Sequence, residues 1–233
     1  MRSELVAVAY FAASAAAHGK VLSPPARPAG RAMVQACGQE AVDSINKDDT
    51  IPLEDVLNPS PSCNLFLCRG AQFEDNQDAV QKFTPGQTIN FKADLSIPHE
   101  GPCNVSVVDT ATNKIVGDPL ITFDSYADEK LPQLPANNTN FDVTMPNVPA
   151  GQCTKPGECV LQWFWFGTDA KQTYESCVDF VVDPSSAKNK TRVTQTPNSR
   201  LRSDNTTQGF SGQDRPRQGQ TGTVESEAAE EDC

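Results

Sequence analysis

The sequence predicts an all-β fold, an antiparallel β-sandwich with long disulfide-pinned loops, on three observations. Strand-type blocks are short and numerous, Pro, Gly, Asn and Asp fill the spaces between them, and helical periodicity is scarce. The blocks are 88–95 (TINFKADL), 104–109 (NVSVVD), 120–123, 141–145 (FDVTM), 160–166 (VLQWFWF) and 174–182, each rich in β-branched or aromatic residues. FDVTM and VLQWFWF alternate only partly, as strands do when both faces are covered by a partner sheet or by loops. Two facing sheets of immunoglobulin-like type are the economical way to bury such segments. Over 78–83 (DAVQKF) the pattern allows one turn of helix with Asp78 as its N-cap. Trp163 and Phe180 read as core, and so does Trp165, for which the alternative is a surface aromatic that stacks on sugar rings.

The first third of the body, 19–73, differs. It is rich in Pro, Gly and Asp, carries Cys37, Cys63 and Cys68, and shows little regular pattern. A long irregular segment in a compact domain usually builds a surface or a site, and disulfides would hold it in place.

The flanks set the expected boundaries. Residues 1–17, MRSELVAVAYFAASAAA, combine Arg2, an apolar alanine-rich run from Leu5 and small residues at Ala15 and Ala17. That is the pattern of a secretory signal peptide with an A-x-A cleavage site, its apolar run too short to span a bilayer. The expected mature chain begins at His18 and is secreted and extracellular. The segment 184–233 holds only Val193, Leu201, Phe210 and Val224 as large aliphatic or phenylalanine side chains, and its seven basic and seven acidic residues cancel. It cannot bury enough apolar surface to offset chain entropy and reads as a disordered low-complexity tail. Residues 18–183 remain, enough for one domain with its own core.

The net charge of −11 argues against nucleic acid or an anionic membrane as partner, and suits a protein that works beside a neutral polymer. Eight cysteines read as disulfides outside the cell, because the spacings at Cys63/Cys68 and Cys153/Cys159 lack the His and Cys clusters of a structural zinc site. Sequons at Asn104, Asn137, Asn189 and Asn205 fit the same compartment.

The chain has two histidines. His18 falls where the expected cleavage makes it the first residue, and His99 lies in the Pro-flanked loop after TINFKADL, where a side chain can be presented to a surface. A free N-terminal histidine offers its α-amine and a ring nitrogen to one metal as a chelate, and a second imidazole would complete three nitrogen donors. Such a set with open positions suits copper above other first-row divalent ions. The α-amine titrates near 8, so a metal displaces its proton at modest cost. Taken singly, His99 also reads as an ordinary surface histidine and Tyr174 as a half-buried core tyrosine.

An ordered set of motifs carries a family resemblance. His18-Gly19, SPPAR at 23–27, ACG at 36–38, CNLFLCRG at 63–70, Pro98-His99, NVSVVDT at 104–110, CVLQW at 159–163 and QTYESCVDF at 172–180 are together similar to the fungal lytic polysaccharide monooxygenases. Auxiliary activity family sixteen is the nearest match, over the body but not the tail. The resemblance implies that His18 and His99 form a histidine brace for one copper ion. It implies that Tyr174 faces the copper axially, and that Gln172, on the same strand face, is an amide that orients the oxygen co-substrate. It further implies a monomeric oxidoreductase that cleaves β-linked polysaccharide, cellulose first and C1 before C4, with O₂ or H₂O₂ and an external electron donor. Related braces act on chitin or starch. The alternative is a brace protein that captures or transfers copper without oxidising sugar. The sequence departs from the family at Cys103, where a small residue would be usual, and at Cys233. These two either pair with each other or leave a free thiol.

Overall fold

The structure, a computed structural model, describes residues 18–183. The expected signal peptide, the tail, the sequons Asn189 and Asn205, and Cys233 lie outside the described residues.

Two sheets face each other. The smaller has the order β1-β3-β7, with β1 at His18–Ser23, β3 at Thr88–Ile97 and β7 at Asn140–Thr144. The larger runs β2-β9-β8-β4, from β2 at Gln81–Phe83 through β9 at Gln172–Val182 and β8 at Cys159–Gly167 to β4 at Gly101–Asp109. Both β5 (Lys114–Ile115) and β6 (Ile121–Tyr126) pair with the free edge of β4. Every pairing is antiparallel except β2 with β9.

The patterning explains the layers. In β3, Ile89, Phe91, Ala93 and Leu95 are buried while their neighbours point outward, the period-two signature of a strand covered on one face. In β8, Leu161, Trp163 and Trp165 enter the core between the sheets, whereas Val160, Gln162 and Phe164 face the other way. That other face is also covered, which is why VLQWFWF alternates only in part. Trp163, Trp165 and Phe180 are fully buried, as expected.

The cover is helical, and here the structure corrects the sequence reading. The stretch expected to be irregular contains β1 and two helices, α1 (Arg31–Cys37) and α2 (Gln39–Lys47). Met33, Cys37, Ala41, Val42 and Ile45 pack with Val56 and Cys68 against Val108, Val160 and Cys177 on the outer face of the larger sheet. The four-residue spacing from Met33 to Ile45 is the helical signal, broken at Gly38, whose φ of +91° separates the two helices. The single turn α3 (Ala136–Thr139) precedes β7. Over 78–83 the expected helical turn is a short 3₁₀ turn at Gln77–Ala79 with Asp78 inside it, and β2 follows. Phe83 belongs to the sheet because its ring packs 5.9 Å from that of Phe180, so tertiary contact overrides local propensity.

Six cysteines are paired, as Cys37–Cys63, Cys68–Cys177 and Cys153–Cys159. The second bond ties the outer layer to β9 across 109 residues, a closure that contributes about 5 kcal/mol in the chain-entropy account. Cys103 is a buried free thiol among the described residues, and burial raises its pKa well above the ordinary value.

Candidate metal centre

The residues expected at a metal site, His18, His99, Gln172 and Tyr174, lie toward one end of the sandwich. His18 opens β1 and pairs in register with Ile97 near the end of β3, two residues before His99. Gly167 ends β8 and faces Gln172 at the start of β9, and Trp165 lies directly across from Tyr174. These strand ends are joined by contacts. A Cβ on Gly167 would lie 3.2 Å from the Cβ of His99, and one on Gly19 would lie 2.9 Å from the Trp165 ring. Trp165 stacks on Tyr174 with ring centroids 4.4 Å apart, and the Tyr174 hydroxyl donates to Gln172 Oε1 at 3.0 Å. Contacts, strand pairings and short stretches of chain together close a circuit: His18, Gly19, Trp165, Tyr174, Gln172, Gly167, His99, Ile97 and back to His18.

The environment of each group differs. His99 is 9% exposed, and its Nδ1 is buried without a hydrogen-bond partner. An unpartnered buried polar atom costs about 1–3 kcal/mol unless something absent from the protein takes it. Glu129 stands nearby: the backbone N–H groups of Glu129 and Glu100 hold its carboxyl below the usual range, and His99 adds to this. His18 Nε2 lies 3.2 Å from Asp48 Oδ2. The Thr50 hydroxyl and amide, with His18 and Arg69, hold the Asp48 carboxyl below its ordinary value. A neutral His18 facing that carboxylate carries its proton on Nε2 and the lone pair on Nδ1.

Tyr174 is 1% exposed. Burial, together with the Glu54 and Asp55 charges, pushes its phenol well above the usual value, so it stays protonated. Its proton engages the Gln172 oxygen, which fixes the orientation of that amide.

Asp48 escaped the sequence reading. It caps α2, and the turn at 48–50 meets β1 three times, through Asp48 to His18, Asp49 to Lys20, and the Gly19 N–H to the Thr50 carbonyl. The only local signal was the DD-T after a helix-length stretch. Gly167 and Glu129 had no signal at all, since their roles depend on where the turns fold back. Among the described residues, no three His, Cys, Asp or Glu side chains gather into a metal cluster.

Comparison with known proteins follows the same span of chain. The family model described as lytic polysaccharide mono-oxygenase, cellulose-degrading, matches residues 18–180. Solved structures similar to the chain include a Jonesia denitrificans lytic polysaccharide monooxygenase, 17% identical, covering 71% of this chain and 100% of that one with a TM-score of 0.37. Another is an AA10 enzyme from Streptomyces lividans, 15% identical, covering 70% and 99% with a TM-score of 0.43. A third is the extended catalytic domain of a lytic polysaccharide monooxygenase from H. jecorina, 19% identical, covering 51% and 53% with a TM-score of 0.34. No curated protein matches the chain. With the match running from His18 through the strand that carries Gln172 and Tyr174, the chain belongs to the lytic polysaccharide mono-oxygenase family.

Proposed function

We propose that the chain is a secreted, copper-dependent lytic polysaccharide monooxygenase of the auxiliary activity family sixteen type. It cleaves β-linked glucan, cellulose first and at C1, with O₂ or H₂O₂ and an external electron donor. The observation that carries this reading is the closed circuit joining His18 to His99 through Trp165, Tyr174 and Gln172.

The donor set fits one copper ion. Cleavage after Ala17 would free the His18 α-amine, and Nδ1 is the ring nitrogen that closes a six-membered chelate with it. The Asp48 contact leaves the lone pair on that nitrogen. His99, buried with an unsatisfied ring nitrogen, fits the second imidazole. Three nitrogens of this kind suit copper. Copper held there would supply the redox chemistry, alternating between Cu(II) and Cu(I) and activating O₂ or H₂O₂ for attack on a C–H bond beside the glycosidic linkage.

The chain's own groups do the rest. Asp48 fixes the His18 ring. Tyr174 stays a neutral phenol, stacked on Trp165, and would border the copper without adding charge. Gln172, pinned by that phenol, would be the amide that orients the oxygen co-substrate.

Mass spectrometry of soluble products from cellulose, chitin and starch tests the reading, using copper-loaded protein beginning at His18 with ascorbate. Oxidised oligosaccharides that need both copper and ascorbate, greatest from cellulose, are the expected result. Three intact polymers beside tight copper binding would turn the reading to copper capture.

Tyr174→Phe keeps the ring on Trp165 and removes the hydroxyl. Copper affinity should stay within about threefold, while the electron paramagnetic resonance spectrum of Cu(II) changes. An identical spectrum would place Tyr174 away from the metal.

A further inference from the structure

We propose that Asn104 carries an N-linked glycan whose first N-acetylglucosamine lies in a groove on the outer face of the larger sheet. The groove has a volume of about 310 Å³, near the lower end for ligand pockets and suited to a single sugar ring. Its floor is Asn104 and Ser106 of β4 with Gln162 and Phe164 of β8, and its rim is Phe66 and Ile115. It lies on the face of the sheet opposite Trp163 and Trp165, apart from the metal centre.

Asn104 and Ser106 are the first and third residues of a sequon. Ser106 donates its hydroxyl to Asn104 Oδ1 at 2.9 Å, while Nδ2, the atom to which sugar is attached, donates to nothing among the described residues. Phe164 stands directly across from Asn104 in register and on the same face, so a sugar leaving Nδ2 meets an aromatic ring. Gln162 is only 7% exposed, and its Oε1 has no hydrogen-bond partner. That oxygen is sealed beneath the floor, so the sugar meets the floor through the Phe164 ring. Phe66 and Ile115 are 59% and 51% exposed, and the Asn113 side chain holds the Phe66 carbonyl at 3.2 Å. Such a paired apolar rim is what a sugar's C–H face covers. The other described sequon, Asn137, stands exposed on the single turn α3.

The step balances without electron transfer. A bond forms between Asn104 Nδ2 and the anomeric carbon. That carbon's bond to the diphosphate of a lipid-linked donor breaks, and the amide proton leaves with the diphosphate. The proposal rests on passage through the secretory pathway and on nothing at the metal centre.

The test uses the full chain secreted from a glycosylating host, with glycopeptides mapped by mass spectrometry. Asn104 should be occupied. Peptide N-glycosidase acting on the native protein should release its glycan at least about tenfold more slowly than after denaturation, while the Asn137 glycan is released readily in both states. Phe66→Ser should leave occupancy unchanged and narrow that gap. An unmodified Asn104 in secreted protein would overturn the proposal, as would native release as fast as denatured release. Protection that ignores Phe66→Ser would overturn the seat in the groove. The amino terminus is read in the same digest, so a chain still beginning at Met1 exposes failure of the secretion reading separately.

Discussion

A chain that keeps Ala17 in front of His18 should bind copper at least about a thousandfold more weakly than one beginning at His18, a loss of about 4 kcal/mol. The physical reason is local. With Ala17 attached, the His18 nitrogen is an amide whose lone pair is delocalised into the carbonyl, so it is a poor ligand at neutral pH. One donor of three goes, and with it the chelate ring that holds Nδ1 on the same ion. The fold should not notice, because β1 pairs with β3 through residues from His18 onward and the Gly19 N–H still reaches the Thr50 carbonyl. Competition against a chelator of known affinity measures the first effect. Thermal unfolding gives a readout independent of activity: copper should raise the Tm of the chain that starts at His18 and leave the Ala17-bearing chain unmoved, since a ligand stabilises only the state it binds. Affinities within threefold of one another would remove the α-amine from the site, and with it the brace.

How this centre could be seen in the sequence differs residue by residue. Gln172 and Tyr174 stood out only through the resemblance, in the pattern Q-x-Y-x-x-C; the strand period of two, which puts residues two apart on one face, agrees with it but does not single them out. Their hydrogen bond is the structural form of that arithmetic. The inward set of β3 keeps a strict period of two, one face being open and one covered. In β8 both faces are covered, and the pattern blurred accordingly. Helices α1 and α2 were hidden because each is short and Gly38 breaks their common stripe, so neither reaches the length at which periodicity stands out. Asp48 was invisible for a different reason. Its position depends on α2 bringing the 48–50 turn back to β1, a contact between segments 30 residues apart. The partner of Cys68 was equally beyond reach, because the spacing of 109 residues to Cys177 carries no periodic or local signal. Local physics writes itself into neighbouring letters, whereas the meeting of distant segments leaves almost no trace in any of them.

The second large effect concerns what holds that distant meeting in place. Asp179→Ala should destabilise the protein by about 3–5 kcal/mol, the cost of leaving a buried charge without its partner. Asp179, on β9, is fully buried, and the Arg27 side chain is 5% exposed. Arg27 donates Nε to Oδ2 at 2.8 Å and Nη2 to Oδ1 at 2.7 Å, a two-point fork, and Asn76 Nδ2 adds a third donor at 2.8 Å. Arg27 also donates to the Ala71 carbonyl and lies over the Phe73 ring, so one side chain joins the segment after β1, the outer layer and β9. Removing the carboxylate strands the guanidinium in a layer that water reaches poorly. Denaturant unfolding at neutral pH measures the cost. Arg27→Met should show a loss of the same order, with Asp179 stranded instead. The double variant Arg27→Met, Asp179→Leu should lose much less than the sum of the two, because no charge is left unpaired. A cost below about 1 kcal/mol for Asp179→Ala would reduce the pair to the standing of an exposed bridge. Copper affinity separates stability from site geometry. His18 reaches β9 through its own strand, with the Val21 N–H on Ser176 Oγ at 3.1 Å, independently of Arg27. Asp179→Ala should therefore lower the Tm while leaving the copper affinity of the folded fraction within about threefold. If affinity falls with stability, the ion pair also sets the spacing of β1 and β9, and Arg27 is a positioning residue for the metal centre.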